Sequence, residues 1–247
     1  MRTFWILYKR ELAAFMLSPI AYVLATLFQL IMGFMFVYLA YMLMKAPREE
    51  TVTLYFFNMF WLPSLVIPSL ITMRLFAEEN RSGTIEMLMT APVNDWQVAL
   101  SKFGAALSVY VGIWLPTLLY IFILRMFVGN PESLEIMTFL TAYLLIFLNS
   151  AFLIAAGTFT SSLTRNQIIA AILSFVLCFL FLILPVWVFD NFRTGPVGET
   201  MLYLSAFNQL SEFARGVIDV KPFVLYLTGT FYFLYATVRV IESRKWR

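Results

Sequence analysis

Long uncharged stretches divide this chain into segments. Six of them approach or exceed the roughly 20 apolar residues that a helix needs to cross a bilayer. An ionised side chain is costly at the bilayer centre, so charged positions mark where these stretches end. The predicted spans cover residues 20–44, 53–75, 103–125, 136–160, 167–189 and 222–240. The pattern therefore predicts an all-α membrane protein with six transmembrane helices.

A separate helix is predicted before the first span, over residues 1–18. Pro19 interrupts the first apolar stretch, because proline lacks an amide donor and disfavours helical geometry in the residue before it. Four large side chains of this leader share one helical face: Phe4, Tyr8, Leu12 and Phe15. Such a face is typical of an amphipathic, interfacial helix that lies along a membrane surface. Anchoring the fold and contacting a partner are both open as its role.

Composition supports a membrane protein and excludes an ordinary soluble domain. Hydrophobic residues make up 62% of the 247 residues and charged residues 13%, whereas soluble domains average roughly 45–50% and 25%. No long polar stretch remains for a second, water-soluble domain. We therefore expect residues 1–247 to form a single transmembrane domain, in which the only cysteine, Cys178, is a buried apolar side chain.

The distribution of Lys and Arg predicts the orientation. With both termini inside, the inner segments hold eleven of these residues and the outer segments six. Cytoplasmic loops carry the positive excess, so both termini are predicted to be cytoplasmic. The net charge of +3 then follows from topology and requires no nucleic-acid partner.

The first long connection, residues 78–102, is cytoplasmic in this topology. Gly83 is expected to break one helix, a short helix is predicted from about Thr84 to Met89, and Asn94 is expected to cap the next helix. Apolar side chains of the short helix would point into the cytoplasm, where lipid cannot cover them. A protein partner is the natural cover for such a surface.

This connection resembles the hallmark segment of ABC-2-type transporter permeases, in which a coupling helix docks into a nucleotide-binding subunit. The resemblance is carried by Glu78-Glu79, by Arg81 through Glu86, by Leu88 and Pro92, and by Lys102-Phe103. Ser101 departs from the pattern, because many relatives have glycine before the lysine. The residues implied to couple to the ATPase are Glu78, Glu79, Arg81, Gly83, Thr84, Ile85, Glu86, Leu88, Met89 and Pro92.

The carboxyl-terminal part adds a finer likeness. Phe207-Asn208, the stretch Phe213 to Asp219 and the terminal Glu242 to Trp246 are similar to the gliding-motility type of ABC-2 permease. That resemblance does not by itself imply a role in motility.

The second long connection, residues 190–221, is extracytoplasmic in this topology. Its uncharged stretch from Thr200 to Ser211 is too short to span a membrane. Five residues spaced along it are expected to share a helical face: Leu202, Ala206, Leu210, Phe213 and Val217. The resemblance implies a re-entrant helical hairpin here, with Phe207, Leu210, Phe213 and Arg215 as its candidate site residues. An interfacial helix that rests on lipid is the open alternative.

A few residues within the spans are candidates for lining a transport pathway. They are Asn58, Pro63, Pro68 and Asn149. Proline frees backbone carbonyl groups and bends a helix, which is also expected of Pro116. Structural roles explain these residues as well, and small residues such as Gly157 favour close helix packing.

The absence of certain motifs from the sequence disfavours several classes of function. No phosphate-binding GxxxxGK[ST] loop occurs, so ATP hydrolysis is expected on a separate subunit, which would bind Mg-ATP. Histidine is absent, and no carboxylate falls in mid-span, which disfavours a membrane-embedded enzyme, a metal site or a proton relay. This chain itself is expected to bind no cofactor and to have no catalytic residues.

The sequence therefore predicts the permease subunit of an ATP-binding cassette exporter in the cytoplasmic (inner) membrane of a bacterium. The expected partners are an ABC ATPase subunit, a second permease subunit in a homodimer or heterodimer, and membrane lipid, with room for an extracytoplasmic accessory subunit. A secondary carrier or channel without an ATPase is the alternative. Aromatic spans suit a hydrophobic or lipid-linked cargo and ordinary lipid-facing helices equally, so no substrate is assigned.

Overall fold

The computed structural model describes residues 2–45, 57, 60–84, 93–127, 136–191 and 195–245. These ranges are almost entirely helical and contain no strand, which confirms the predicted all-α class for them. A 3-10 turn, Leu115–Thr117, separates two of the helices. In chain order the helices are α1 (Arg2–Met16), α2 (Pro19–Lys45), α3 (Trp61–Thr72), α4 (Ala77–Ser82), α5 (Asp95–Trp114), α6 (Leu118–Phe127), α7 (Ile136–Leu163), α8 (Gln167–Asn191), α9 (Pro196–Leu204), α10 (Ala206–Phe213) and α11 (Val220–Lys245).

Five helical stretches in the described ranges are long and apolar enough to cross a membrane. They are Pro19–Tyr41, Asp95–Tyr120, Met137–Leu163, Gln167–Asn191 and Val220–Arg244. Each overlaps one predicted span, and together they make the chain a multi-pass membrane protein. The other predicted span, 53–75, is described only in part, as α3 and the residues beside it. A sixth crossing therefore stays a prediction.

Helix α7 forms the centre of the bundle and packs against α3, α5, α8, α10 and α11. A Cβ atom added at Gly157 would overlap the hydroxyl groups of Thr72 and Ser174, which belong to α3 and α8. Ala155 and Ala156 beside it are fully buried. Small side chains in α7 thus let two neighbouring helices approach closely.

Helix α5 begins earlier than the predicted span at 103–125. Asn94 caps it as expected, because its side-chain oxygen accepts a hydrogen bond from the Trp96 N–H group at 3.1 Å. Lys102 therefore lies inside the helix, although its charge had marked the predicted start of the span. Pro116 lies in the 3-10 turn that interrupts the helix, where a bend was expected.

Helix α1 packs in an antiparallel orientation along the first half of α5. The Tyr8 hydroxyl lies 2.8 Å from that of Ser108, and Glu11 pairs with Lys102 further back along α5. The predicted apolar face of α1 is largely withdrawn from solvent, with Phe15 fully buried. That face contacts α5, which agrees with anchoring of the fold as one of the two roles left open for this helix.

A pair of short helices, α9 and α10, occupies the second long connection. Ser205 separates them, and its hydroxyl accepts a hydrogen bond from the Asn208 N–H group at 3.4 Å. Ala206 and Leu210 are buried, but Val217 lies beyond the end of α10 and is exposed. The expected apolar face therefore includes Ala206 and Leu210 on a pair of short helices but does not extend to Val217, which follows the end of α10.

Candidate functional site: a polar junction around α4

Helix α4 carries the charged half of the predicted coupling segment. Glu78 and Glu79 lie in its first turn, where the helix dipole favours negative charge, and Arg81 lies in its last turn. Gly83 ends the helix in the left-handed conformation with a φ of 74°, which confirms the expected helix break. Thr84 is exposed. The other implied coupling residues, Ile85, Glu86, Leu88, Met89 and Pro92, lie outside the described residues.

A buried lysine joins α4 to two other helices. The Lys102 ammonium of α5 donates a hydrogen bond to Glu79 Oε1 at 2.8 Å and lies 3.3 Å from Glu11 Oε2 of α1. Lys102 is 2% exposed, and its ammonium also lies 5.3 Å from the centre of the Phe76 ring. A charge at this depth is tolerated only when it is paired, so the two carboxylates and the lysine form one interdependent group.

Arg10 extends this group towards the surface. Its guanidinium lies 3.0 Å from Glu11 Oε1 and 3.9 Å from Glu79 Oε1. Two cations and two anions from α1, α4 and α5 therefore share one site. Their formal charges cancel, which suits a structural junction and disfavours a binding site for an anion.

The opposite side of α4 is held by Asn80. Its side-chain amide donates to the Thr164 carbonyl oxygen at 3.0 Å and accepts a hydrogen bond from the Arg244 guanidinium. Arg244 also donates to the carbonyl oxygen of Ser162. The end of α11 is thereby tied both to α4 and to the end of α7.

The start of α4 is capped by a side chain from another helix. The Ser161 hydroxyl of α7 accepts hydrogen bonds from the N–H groups of Phe76 at 3.1 Å and Ala77 at 3.2 Å. It donates to the Met73 carbonyl oxygen at 3.2 Å. Since Phe76, at the N-cap position, has no side-chain acceptor, this hydroxyl satisfies amide groups that a helix start leaves unpaired.

Arg74 fixes the bend between α1 and α2. It follows α3 and donates to the Ser18 hydroxyl at 2.7 Å, while its guanidinium lies 4.3 Å from the centre of the Phe15 ring. Burial lowers the pKa of Arg74, and the carboxylates of Glu78 and Glu11 oppose that shift. A guanidinium titrates so far above neutrality that it stays charged here.

The charged contacts of α1, α4 and α5 surround one cleft of about 720 Å³. Its walls come from α1, α4, α5 and the turn before α4, and they include Thr84 and Val93 on either side of residues 85–92. The charged residues that line it are Arg10, Glu11, Arg74, Glu78, Glu79 and Lys102. All contacts of the described coupling residues thus meet at one end of the bundle, which we call the α4 junction.

The candidate pathway residues lie elsewhere. Pro63 and Pro68 are buried in α3, and Asn149 of α7 is 7% exposed. Asn149 lines a small cavity together with Leu210 of α10, so one pathway candidate and one re-entrant candidate come together. Asn58 lies outside the described residues.

The remaining re-entrant candidates divide into packed and exposed residues. The Phe207 ring stacks on Trp61 of α3 with ring centres 3.9 Å apart, and Phe213 is fully buried. The Phe213 carbonyl oxygen accepts a hydrogen bond from the Thr141 hydroxyl at 2.8 Å. Arg215 follows α10 and is exposed. Helix α10 is therefore packed onto α3 and α7.

Several residues of the α4 junction were not singled out from the sequence. They are Glu11, Asn80, Ser161 and Arg244, and Lys102 was recognised only as part of a motif. One signal was available for Glu11, because this acid falls on the apolar face of α1 between Tyr8 and Phe15. A charge on such a face implies a buried partner. Asn80 and Arg244 lie far apart in sequence, and nothing in it pairs them.

The fold and this site define a class, namely a helical, multi-pass membrane protein whose spans are joined at one end by buried charges. Comparison with known families makes the assignment specific, since the model of the ABC-2 family transporter protein matches residues 17–182, more than half of the chain. The chain belongs to this family. It is a membrane permease of an ABC transporter and thus a transport subunit, and family membership implies an ATPase subunit as partner. No curated protein matches it.

Proposed function

We propose that this chain couples ATP hydrolysis on a separate ATPase subunit to export of a substrate across the cytoplasmic membrane of a bacterium. The single observation that carries the proposal is the α4 junction, where α4 makes polar contacts with α1, α5, α7 and α11. A displacement of α4 would act on these four helices through their polar contacts.

In this proposal, residues 78–102 form the coupling segment and residues 190–221 a re-entrant extracytoplasmic hairpin. The whole chain is a single domain with six spans, an interfacial α1 and two cytoplasmic termini. Two permease subunits pair, Mg-ATP binds to the ATPase subunits, and their closure moves the coupling segments. The gliding-motility type is the proposed subfamily. The coupling residues Ile85, Glu86, Leu88, Met89 and Pro92 would contact the ATPase directly.

Docking is tested by co-purifying the chain with its ATPase subunit in lipid nanodiscs. Glu86→Lys and Leu88→Ala are expected to reduce co-purification and the ATP hydrolysis that depends on the permease. Glu199→Lys, which reverses an exposed acid on α9, is the matched control and should change neither quantity. Unaltered association and unaltered hydrolysis in both coupling variants would refute the docking surface.

Coupling through the junction needs a different variant. Lys102→Met keeps the coupling residues but removes the cation between α1 and α4, so we expect the ATPase to stay bound while transport per ATP hydrolysed falls. Lys102→Arg should retain part of the coupling. Normal transport per ATP in Lys102→Met would show that the signal does not pass through this lysine.

A further inference from the structure

The small cavity beside Asn149 lies where α3, α7, α10 and α11 meet, and its volume is about 10 Å³. Most of its wall is apolar, with Leu145 and Ile146 from α7 and Leu210 from α10. The side chains in the wall that carry a polar atom are Trp61, Ser64, Asn149 and Tyr226. A cavity needs roughly 10–15 Å³ to hold one water molecule. This cavity therefore has the size of a single water and excludes anything larger.

Two of these side chains carry a buried polar atom that has no hydrogen-bond partner in the described part of the chain. The atoms are the Nε1–H donor of Trp61 and the Oδ1 acceptor of Asn149. Asn149 is 7% exposed and lies near the middle of the candidate span Met137–Leu163. Lipid offers no hydrogen bond at that depth, and an unpaired buried polar group is destabilising. One donor and one acceptor in the same wall therefore need a partner.

Packing keeps the Trp61 indole at this wall. Its ring stacks on Phe207 of α10 with the ring centres 3.9 Å apart, and Ala206 of α10 lines the cavity beside it. The indole N–H group and the Asn149 oxygen do not bond to each other directly, since neither atom has a partner. A water molecule both accepts and donates hydrogen bonds, so one water can bridge this pair.

The two hydroxyl groups in the wall complete the surroundings of such a water. The Ser64 hydroxyl donates to the Phe60 carbonyl oxygen at 2.6 Å, and the Tyr226 hydroxyl donates to Gln209 Oε1 at 2.7 Å. Each hydroxyl oxygen can still accept a hydrogen bond. Buried waters make about three hydrogen bonds, and the polar groups of this wall can supply them. All four groups are neutral, which favours water over an ion.

We infer that this cavity binds one water molecule, which accepts a hydrogen bond from Trp61 Nε1 and donates one to Asn149 Oδ1. The water links α3 to α7 beneath α10. A hydrogen bond through water is nearly as favourable in enthalpy as a direct one. Because the water can exchange, α3 and α7 can separate here while each side chain keeps a water partner. The inference depends on the packing of α3 and α10 onto α7 and not on ATPase coupling.

The test measures magnetisation transfer from water to the tryptophan indole N–H groups by solid-state NMR, with the full-length chain in phosphatidylcholine bilayers. Trp61→Phe identifies the Trp61 signal by its loss. We expect transfer from water to the Trp61 indole, as to that of Trp5, which is 56% exposed. Asn149→Leu removes the acceptor and fills the cavity, so it should abolish the transfer to Trp61 and leave that to Trp5 unchanged.

The matched control is Asn191→Leu, which replaces an exposed asparagine at the end of α8 and should preserve both transfers. Size-exclusion profiles check that the variants fold, and the transfer to Trp61 in the unaltered chain decides whether the site is hydrated even if one does not. Transfer to Trp5 without transfer to Trp61 would show a dry cavity and overturn the inference. Transfer to Trp61 from acyl-chain protons in place of water would also overturn it. Transfer from water that persists in Asn149→Leu would refute the bridge to Asn149.

Discussion

The two ends of the helical bundle are held together by different chemistry. At the α4 junction, ionised groups hold the helices together, since Lys102 joins α5 to α4 and α1, and Arg244 joins the ends of α7 and α11. At the opposite ends of the same two helices, α10 is held by neutral groups: the Tyr226 hydroxyl donates to Gln209 Oε1 at 2.7 Å, and Thr141 donates to the Phe213 carbonyl oxygen. Among these contacts, the ionised ones lie at the α4 junction, which is the end where we propose that the ATPase subunit docks.

The largest loss of stability is expected at the α4 junction. Lys102→Met removes the buried cation between the Glu11 and Glu79 carboxylates and leaves them only the exposed guanidinium of Arg10. Breaking a buried ion pair in this way costs about 3–5 kcal/mol, so the apparent Tm of the chain in nanodiscs should fall by many degrees. Added salt should not restore it, because buried charges are poorly screened. An apparent Tm equal to that of the unaltered chain would show that the group is not interdependent.

A smaller loss of stability is expected at the end where neutral groups hold α10. Tyr226→Phe keeps the ring but removes the hydrogen bond to Gln209, and both residues are almost fully buried. An unsatisfied buried polar group costs about 1–3 kcal/mol, to be measured as a lower apparent Tm in the same nanodiscs. Tyr232→Phe, at an exposed tyrosine, is the matched control and should have no effect. Equal values for the two variants would contradict the packed arrangement of α10.

Neutral contacts at the junction end should also matter, though less. Asn94→Ala removes the cap of α5 and is expected to cost about 1 kcal/mol, whereas Asn94→Asp keeps a side-chain acceptor and should cost little. Thermal unfolding of the two variants distinguishes them. If Asn94→Asp destabilised the chain as much as Asn94→Ala, the cap would not be the reason.

The smallest change in stability is expected for an exposed ion pair, which tests whether charge stabilises the chain without burial. Arg239 and Glu242 form an exposed ion pair on α11, with 2.7 Å between the charged groups. Exposed pairs contribute little because water and salt screen them, so Arg239→Gln should leave the apparent Tm unchanged. A loss comparable to that of Lys102→Met would mean that charge alone, independent of burial, stabilises this end.

Sequence reasoning succeeded where a single segment carries the signal. Apolar length located the five described spans, and local rules identified the break at Gly83 and the cap at Asn94, since each depends on residues a few positions apart. It failed where the deciding contact is long-range. The predicted cap at Asn94 already placed Lys102 inside a helix, but nothing in the sequence indicated that Glu11 and Glu79 are its partners.

The same limit applies to the role of α1. Phe4, Tyr8, Leu12 and Phe15 do share a face, but periodicity cannot say whether lipid or another helix covers that face. The contact of Tyr8 with Ser108 decided it in favour of α5. Likewise, the resemblance implied a coupling segment but could not reveal that Arg244, more than 160 residues away, binds Asn80.

The hydrogen bonds of the Ser161 hydroxyl oppose a sliding movement of α4 along α7. This hydroxyl bonds to three backbone groups around the start of α4, so sliding α4 along α7 would strip two amide groups and one carbonyl group of their partner inside a poorly hydrated interface. These hydrogen bonds oppose relative sliding, so a displacement of α4 would be transmitted to α7. The central helix of the bundle would then transmit a displacement at one membrane surface to the packing of α10 at the other surface.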